Sequence, residues 1–292
     1  ATLTQKFHPS LMRTSLSQLG SVPRLGALAT QGLRAKKLGL LWIDNPFGRD
    51  GKAALQAAIN RRGAAITFDV PVRPGQQDFS KAIADFKTAN VDALVIYMTE
   101  LESIGALKEL KLQGFSQPVL SDGLVASQMV IDGADGAAEG VLSHMGIFTD
   151  LPNAHMQAFA KRYTQKYGAP PDHNSVKGFF AVQLIRAGLE LAGTVDAVKF
   201  LEICKNTHFD GGRFPELINS VSYDTFGDLN RESYFVVIRG GRPRLVASKA
   251  STDTGSVVLA GGRSVALMSN EFRRDLHDAM NAVAAIPGKV LQ

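Results

Sequence analysis

The chain has 292 residues, of which 45% are hydrophobic and 20% charged, with a formal net charge of +5. This length and composition suit one large or two medium globular domains with a real core. The basic residues are scattered, without the basic stripe interleaved with aromatics that marks nucleic-acid binding, so we expect no nucleic-acid partner. No apolar run approaches the roughly 20 residues needed to cross a bilayer, so we expect no membrane insertion.

Cys204 is the only cysteine, so no internal disulfide can form and the redox compartment is not indicated. Its apolar, helical surroundings in the sequence favour an inert core thiol over a nucleophile. The chain begins at Ala1, with no charged-then-apolar leader after it. From this beginning we expect a processed chain or a fragment.

The strongest local pattern lies between residues 36 and 63. Residues 38–43 form a continuous apolar run, typical of a strand buried on both faces. Residues 44–48 (DNPFG) interrupt this run, and a helical period follows to Gly63. Because open α/β sheets bind ligands outside the carboxyl ends of their strands, we expect the turn at 44–48 to face a ligand.

Strands and helices continue to alternate as far as residue 149. Such alternation predicts an α/β fold with a doubly wound parallel sheet. Strands are predicted at 65–72, 91–98, 118–120 and within 136–147, and helices at 23–32, 78–90 and 102–112.

The pattern changes at Asp150. Three successive helices are predicted at 152–167, 175–192 and 195–204, with no strand between residues 150 and 209. The middle helix is apolar around much of its circumference, so it needs a sheet or a helical layer to cover it. Strands are predicted again at 220–223, 234–238 and 244–247, the last two as a hairpin, and an amphipathic helix is predicted around residues 272–283.

Motifs of common enzymes are missing from the sequence. It contains no G-x-G-x-x-G or P-loop for a nucleotide and no G-x-S-x-G elbow of a serine hydrolase. The six histidines are dispersed, and no H-E-x-x-H motif or cysteine pair indicates a metal. We therefore expect no enzymatic activity, no cofactor and no metal.

Several segments, in order, resemble the branched-chain amino-acid (Leu/Ile/Val) type of periplasmic solute-binding protein of ABC transporters. The first, MRTSLSQLGSVPRLGALA at 12–29, resembles the family's first interdomain crossing. The others are KKLGLLWIDNPFGRDG (36–51), GQQDFSKAIADFKTANVDALVIYM (75–98), AAEGV (137–141), AFAKRYTQKYGAPPD (158–172), and VSYDTFGD (221–228) followed by YFVVIRGG (234–241).

This resemblance implies a type I periplasmic binding fold, in which two α/β lobes joined by three crossings close on a small ligand. The family's N-terminal segment, which forms most of the first lobe's sheet, has no counterpart here. Residues 14–149 with 218–247 are then predicted to be the second lobe, and 150–217 the helices of an incomplete first lobe. These helices should expose apolar surface around Phe179, Phe180 and Leu184. Residues 248–292 match nothing in the family.

The resemblance and the strand ends together give four candidate ligand-binding residues. Asp122 stands where the family acid pairs with a ligand ammonium, or it helps the turn at Gly123. Phe47 matches an aromatic–Gly position where a family tyrosine often lies against the ligand, or it is an aromatic pinned to the core. Thr99 and Glu100 follow the strand VDALVIYM at a ligand-contacting position. Thr99 could instead cap the next helix, or do both.

The function that this resemblance implies is capture of an amino acid or similar small polar ligand in the periplasm. Hinge closure would hold the ligand, and an ABC permease would receive the closed form. The family's carboxylate-binding Ser and Thr groups lie in the segment without a counterpart. Two alternatives stay open, a ligand-sensing domain of a receptor or regulator with the same fold, and an interaction module that has lost its site. An intact amine-binding pocket would argue against the interaction module.

Overall fold

A computed structural model of the chain describes residues 4, 10–151, 153–247, 256–258 and 264–266. The chain forms two compact units. Unit 1 comprises residues 1–20 and 146–233, and unit 2 comprises residues 21–145 and 234–292. The chain therefore passes between the units three times, which is the number of crossings that the family resemblance implies.

The secondary-structure elements are numbered in chain order. The helices are α1 (Gln18–Ala27), α2 (Pro46–Asn60), α3 (Ser80–Thr88), α4 (Glu100–Leu112), α5 (Gln128–Gly133), α6 (Ala154–Tyr167), α7 (His173–Ala192) and α8 (Ala197–Asn206). A π-helical turn, Leu28–Gly32, extends α1, and a 3₁₀ turn lies at Pro215–Leu217. The strands are β1 (Lys37–Ile43), β2 (Ala65–Val72), β3 (Ala93–Tyr97), β4 (Val119–Asp122), β5 (Leu142–Met145), β6 (Val221–Tyr223), β7 (Leu229–Arg231), β8 (Tyr234–Arg239), β9 (Arg242–Ala247), β10 (Ser256–Val258) and β11 (Ser264–Ala266).

Unit 2 is built on a seven-stranded sheet with the order β2-β1-β3-β4-β5-β8-β9. The first five strands of that order are parallel, and β8 and β9 add an antiparallel hairpin at one side. Side chains of α1 and α2 share a core with one face of the sheet. On the other face, α3 lies so close that a Cβ at Gly39 would be 2.9 Å from the Phe86 ring. The predicted α/β fold is confirmed.

The strands formed where buried apolar runs predicted them. In β3 every residue is buried, and in β1 every residue but the first. A strand covered by helices on both faces has no solvent face for polar side chains, so its sequence does not alternate. The predicted terminal helix around residues 272–283 lies outside the described residues.

Unit 1 has a core of its own around α7. This core includes Phe180 and Leu184 of α7, Cys204 of α8, and Phe209. The Cys204 side chain is buried, and burial raises the pKa of its thiol to about 11, as suits an inert core thiol. Between residues 150 and 209, the described chain contains helices and no strand, as the sequence predicts.

The expectation that Phe180 and Leu184 would be exposed is wrong. Phe180 is fully buried and Leu184 is 4% exposed, because the face of α7 that carries them packs into the core of unit 1. Phe179 is half-buried, and its ring lies 4.6 Å from that of Phe159. The apolar side chains that α7 does expose are Val182 (62%) and Ile185 (50%).

The two short strands β6 and β7 differ in position from the expectation. The sequence analysis predicts that the strands after Ile218 belong to the second lobe, together with the large sheet. In the structure β6 and β7 pair with each other and lie in unit 1, whereas β8 and β9 join the sheet of unit 2. The reason lies in packing, because Val221, Tyr223 and Leu229 contribute to the core that contains Phe180. The assignment of the two units to the family's lobes stays a prediction.

Two of the family-like segments meet within unit 1. Asp228, from VSYDTFGD, forms an ion pair with Arg13, from MRTS, at 2.9 Å. The Tyr223 hydroxyl donates a hydrogen bond to the Arg13 carbonyl at 2.8 Å. Gly227 has a φ of +81°, and a Cβ there would lie 2.0 Å from the Leu11 carbonyl oxygen, so the turn requires glycine.

Among the described residues, no single helix is long and apolar enough to cross a membrane. Within this part of the chain, α7 and α8 reach that length and composition when taken together, and the pair is bent by 102°.

The buried and exposed positions of α7 predict a difference in stability. Phe180→Ala should lower the free energy of unfolding of unit 1 by about 3–5 kcal/mol, because it leaves a cavity in the core. Val182→Ala, two residues along the same helix, should change it by no more than about 0.5 kcal/mol. Urea denaturation followed by circular dichroism measures both. Equal effects of the two substitutions would contradict the burial of Phe180.

Candidate functional site

The candidate site lies at the carboxyl edge of the sheet in unit 2. Strands β1 to β5 are parallel, so their carboxyl ends share this edge, and the strand order reverses at β1, which lies between β2 and β3. Ligands of doubly wound sheets bind at such a reversal, outside the carboxyl ends of the strands. Residues 44–48 and 99–100 follow β1 and β3 at this edge, and Asp122 is the last residue of β4.

The segment after β1 is a helix start and not a phosphate loop. The Asn45 side chain caps α2 by accepting the Gly48 N–H at 3.0 Å, and Pro46 occupies the first turn, where no donor is needed. A Cβ at Gly48 would lie 1.7 Å from the Ile43 carbonyl oxygen. This close approach explains why glycine follows the aromatic residue here.

Phe47 stacks on a tyrosine that the sequence analysis did not select. Its ring lies 4.7 Å from the Tyr97 ring at an interplanar angle of 17°. A Cβ at Gly51 would lie 2.0 Å from the Tyr97 ring, so that glycine makes room for the pair. Phe47 is half-buried against the core of unit 2, as the alternative reading of this residue expects. Its contact with a ligand stays a prediction.

Thr99 holds the loop after β3 through a buried glutamate. The Thr99 hydroxyl donates to the Glu102 carboxylate, which also accepts the Gly75 N–H at 2.8 Å. Burial opposes the charge of Glu102, but these hydrogen bonds lower the pKa of its carboxyl below the usual value. Thr99 stands at the N-cap position of α4, yet its side chain accepts no capping bond there. The side chain of Glu100 is half-buried and makes no hydrogen bond or ion pair with any described residue.

Asp122 ends β4 at the middle of the edge. One of its carboxylate oxygens accepts the Leu124 N–H at 3.2 Å, so Asp122 does support the turn at Gly123. Its carbonyl oxygen accepts the Ser143 hydroxyl at 2.6 Å, which ties the end of β4 to β5. The turn contact and a contact with a ligand are compatible, because a carboxylate offers several acceptor positions.

Strand register places Asp122 in a row of side chains that crosses the sheet. Trp42 pairs with Tyr97, Asp122 pairs with His144, and His144 pairs with Phe235. Ile96 pairs with Ser121, and Tyr97 and Asp122 are the next residues of β3 and β4. Neighbouring strands are about 4.8 Å apart, so a small solute can reach two or three members of this row at once.

Burial fixes the charge states in this row. Burial raises the pKa of Tyr97 far above its usual value, and the charges of Asp122 and Asp50 raise it further. Burial, followed by the positive charge of Arg24, lowers the pKa of His144 to about 3. At neutral pH the row therefore contains a neutral phenol, a neutral imidazole and one carboxylate, so a cation would be attracted to Asp122.

Tyr97, His144 and Arg24 were missed as site residues in the sequence. Tyr97 and His144 lie inside predicted strand segments, and only the register of the strands brings them level with Asp122. Among the described residues, no group of three or more histidine, cysteine, aspartate or glutamate side chains is arranged to hold a metal ion.

Comparison with known proteins decides the family. A model of the periplasmic binding protein family matches residues 2–242. The chain belongs to the periplasmic binding protein family. A curated relative, the Leu/Ile/Val-binding protein homolog 3 of Brucella melitensis, is 28% identical over 210 residues, which cover 70% of this chain and 54% of the relative. This periplasmic binding protein chain thus spans about half the length of the curated relatives it matches.

Solved structures of similar proteins support the type I periplasmic binding fold. A leucine-binding protein from Thermotoga maritima matches with a TM-score of 0.74 and 21% identity, covering 84% of this chain and 69% of that chain. A solute-binding protein of an ABC transporter from R. palustris, in complex with benzoate, matches with a TM-score of 0.71 and 20% identity, covering 81% of this chain and 64% of that chain. At these identities, the match concerns the fold of the periplasmic binding protein.

The buried imidazole predicts a pH dependence of stability. Between pH 6.5 and about 3 the unfolded chain binds a proton at His144 that folded unit 2 does not, so stability falls as the pH falls through this window. Lowering the pH from 7 to 5 should cost about 2 kcal/mol through this residue. His144→Gln should remove that part of the dependence, as measured by urea denaturation at both pH values. The control is His155→Gln, an exposed position, and an equal loss of pH dependence in the two variants would contradict the prediction.

Proposed function

We propose that the protein is the solute-binding component of an ABC transporter, acting in the periplasm. It captures an amino acid or a similar small polar solute at the carboxyl edge of the sheet in unit 2. Family membership supports the solute-binding role, and the reversal of strand order at β1 supports the position of the site. Hinge closure around the solute and delivery to an ABC permease are parts of this proposal.

The observation that carries the proposal is the position of Asp122. It is a carboxylate in the middle of the row that crosses the sheet, between a neutral tyrosine and a neutral histidine. A charge-assisted hydrogen bond from an ammonium group to such a carboxylate is strong and selects for amines. Asp50 and Glu100 add negative charge near the same edge, and Phe47 and Thr99 would line the wall.

The comparisons bear on the solute in two ways. The curated relative is named for leucine, isoleucine and valine, and the Thermotoga protein for leucine. The R. palustris protein holds benzoate, which has a carboxylate and no amine. Amino acids and aromatic acids share a carboxylate, so the proposed solute is a small carboxylic acid, and Asp122 favours one that also carries an amine.

Removal of the Asp122 charge tests the amine site. Asp122→Asn keeps an oxygen to accept the Leu124 N–H but cannot form a charge-assisted bond, so leucine should bind about 10- to 100-fold more weakly. Isothermal titration calorimetry measures the affinity. Asp85→Asn is the matched control, because the side chain of Asp85, in the same unit, is 40% exposed and pairs with Lys81, and this variant should bind like the wild type.

The outcomes separate the candidate functions. Equal affinities of the wild type and Asp122→Asn for leucine would remove Asp122 from the site. Binding of benzoate but not leucine would place the solute among acids without an amine. A wild-type protein that binds neither compound would contradict the proposal and would leave the non-binding interaction module as the better reading.

A further inference from the structure

Arg24 is a buried guanidinium group in unit 2. It lies in α1, where the residues around it pack on the sheet, and its own exposure is 7%. Its Nε and Nη1 atoms are fully buried and have no hydrogen-bond partner among the residues that the structure describes. Arginine stays protonated in proteins, so this is a buried positive charge.

No described side chain compensates this charge. Burial lowers the pKa of the Arg24 guanidinium, and no neighbouring carboxylate opposes that effect. A buried charge without a partner costs several kcal/mol, and arginine is almost never buried unless it is paired. An anion bound from solution would therefore stabilise Arg24, since none of the described residues supplies one.

A second unpaired group lies beside Arg24. His144 is 2% exposed, and its Nε2 atom has no hydrogen-bond partner among the described residues. Residues of α1 on both sides of Arg24 share a core with Phe235, whose ring lies 5.4 Å from that of His144. The positive charge of Arg24 is also near enough to help lower the pKa of His144. A neutral imidazole can donate one hydrogen bond and accept another, so it can add a polar contact to an anion that Arg24 holds.

Register connects this pair with the candidate site. His144 is the cross-strand partner of Asp122, one strand away at the same edge. His144 and Asp122 thus lie about one strand spacing apart in a row on the face of the sheet that α1 covers. An amino acid carries a carboxylate and an ammonium group that are separated by a single carbon atom, so its two charges suit a cation and a carboxylate on the same part of one face.

We propose that Arg24, with His144 beside it, binds the carboxylate of the captured solute. This inference rests on the proposed function and deepens it, because it assigns a residue to the acid group that the candidate solutes share. The guanidinium carries a positive charge, and its unpartnered N–H donors can bond to the oxygens of a carboxylate. Solutes with a carboxylate alone would use Arg24, and amino acids would use Arg24 and Asp122 together.

Three probes separate the two charges of the solute. Leucine has both groups, benzoate has only the carboxylate, and isopentylamine has only the amine. In calorimetric titrations of the protein, Arg24→Met should weaken leucine and benzoate binding by about 10- to 100-fold and leave isopentylamine within about twofold. The control is Arg61→Met, an exposed arginine of unit 2, which should bind all three probes like the wild type.

A stability measurement distinguishes a ligand-binding arginine from a structural one. Without ligand, Arg24→Met should unfold at the same temperature as the wild type or a higher one, because it removes an uncompensated buried charge and keeps the apolar stem. The increase in melting temperature that leucine causes in the wild type should be lost. A large fall in the melting temperature of ligand-free Arg24→Met would show a structural partner for Arg24 and contradict the inference.

The remaining outcomes separate this inference from the proposed function. If Arg24→Met binds leucine as tightly as the wild type does, the carboxylate role of Arg24 is overturned and the proposed function is left intact. If sulfate displaces benzoate when the two are present at equal concentration, Arg24 binds inorganic anions. That result would also overturn its role in binding the solute carboxylate. A wild-type protein that binds neither leucine nor benzoate contradicts both proposals.

Discussion

The structure of unit 2 depends on the burial of its parallel strands on both faces. Helices cover the sheet from both sides, so β1 and β3 carry almost only apolar side chains along their length. Polar groups are therefore tolerated mainly where the strands end, and the parallel direction brings these ends to one edge. The reversal of strand order at β1 opens this edge to a ligand. Fold and candidate site thus follow from the same constraint.

The same burial determines the electrostatics of the edge. It keeps Tyr97 and His144 neutral, and Asp122, at the end of its strand, is the carboxylate beside them in the row. It also makes the charge of Arg24 costly, because the buried Nε and Nη1 atoms have no hydrogen-bond partner among the described residues. An unfavourable buried charge of this kind can serve a function. A ligand that carries both charges would offset its unfavourable free energy. The amine and carboxylate sites proposed here are therefore two consequences of one desolvated edge.

Unit 1 shows how a helix can be misread when its partners are distant in sequence. The apolar circumference of α7 correctly indicated a covering layer, but the sequence did not show which layer covered which face. Phe180 and Leu184 pack with Cys204 and with residues of β6 and β7, about 40 residues further along the chain. The side of α7 that carries Val182 and Ile185 is the exposed one.

The sequence by itself determined the order of strands and helices, the α/β class and the family. These depend on local hydrophobic period, on turn residues and on motifs such as Phe47-Gly48, all of which act over a few residues. Asp122, Phe47, Thr99 and Glu100 could be selected because they stand at strand ends. Only the tertiary structure decided that Tyr97 and His144 lie level with Asp122, that Arg24 lies beside His144, and that β6 and β7 belong to unit 1. Register and helix packing join residues far apart in the chain, and no local pattern encodes which of these residues meet.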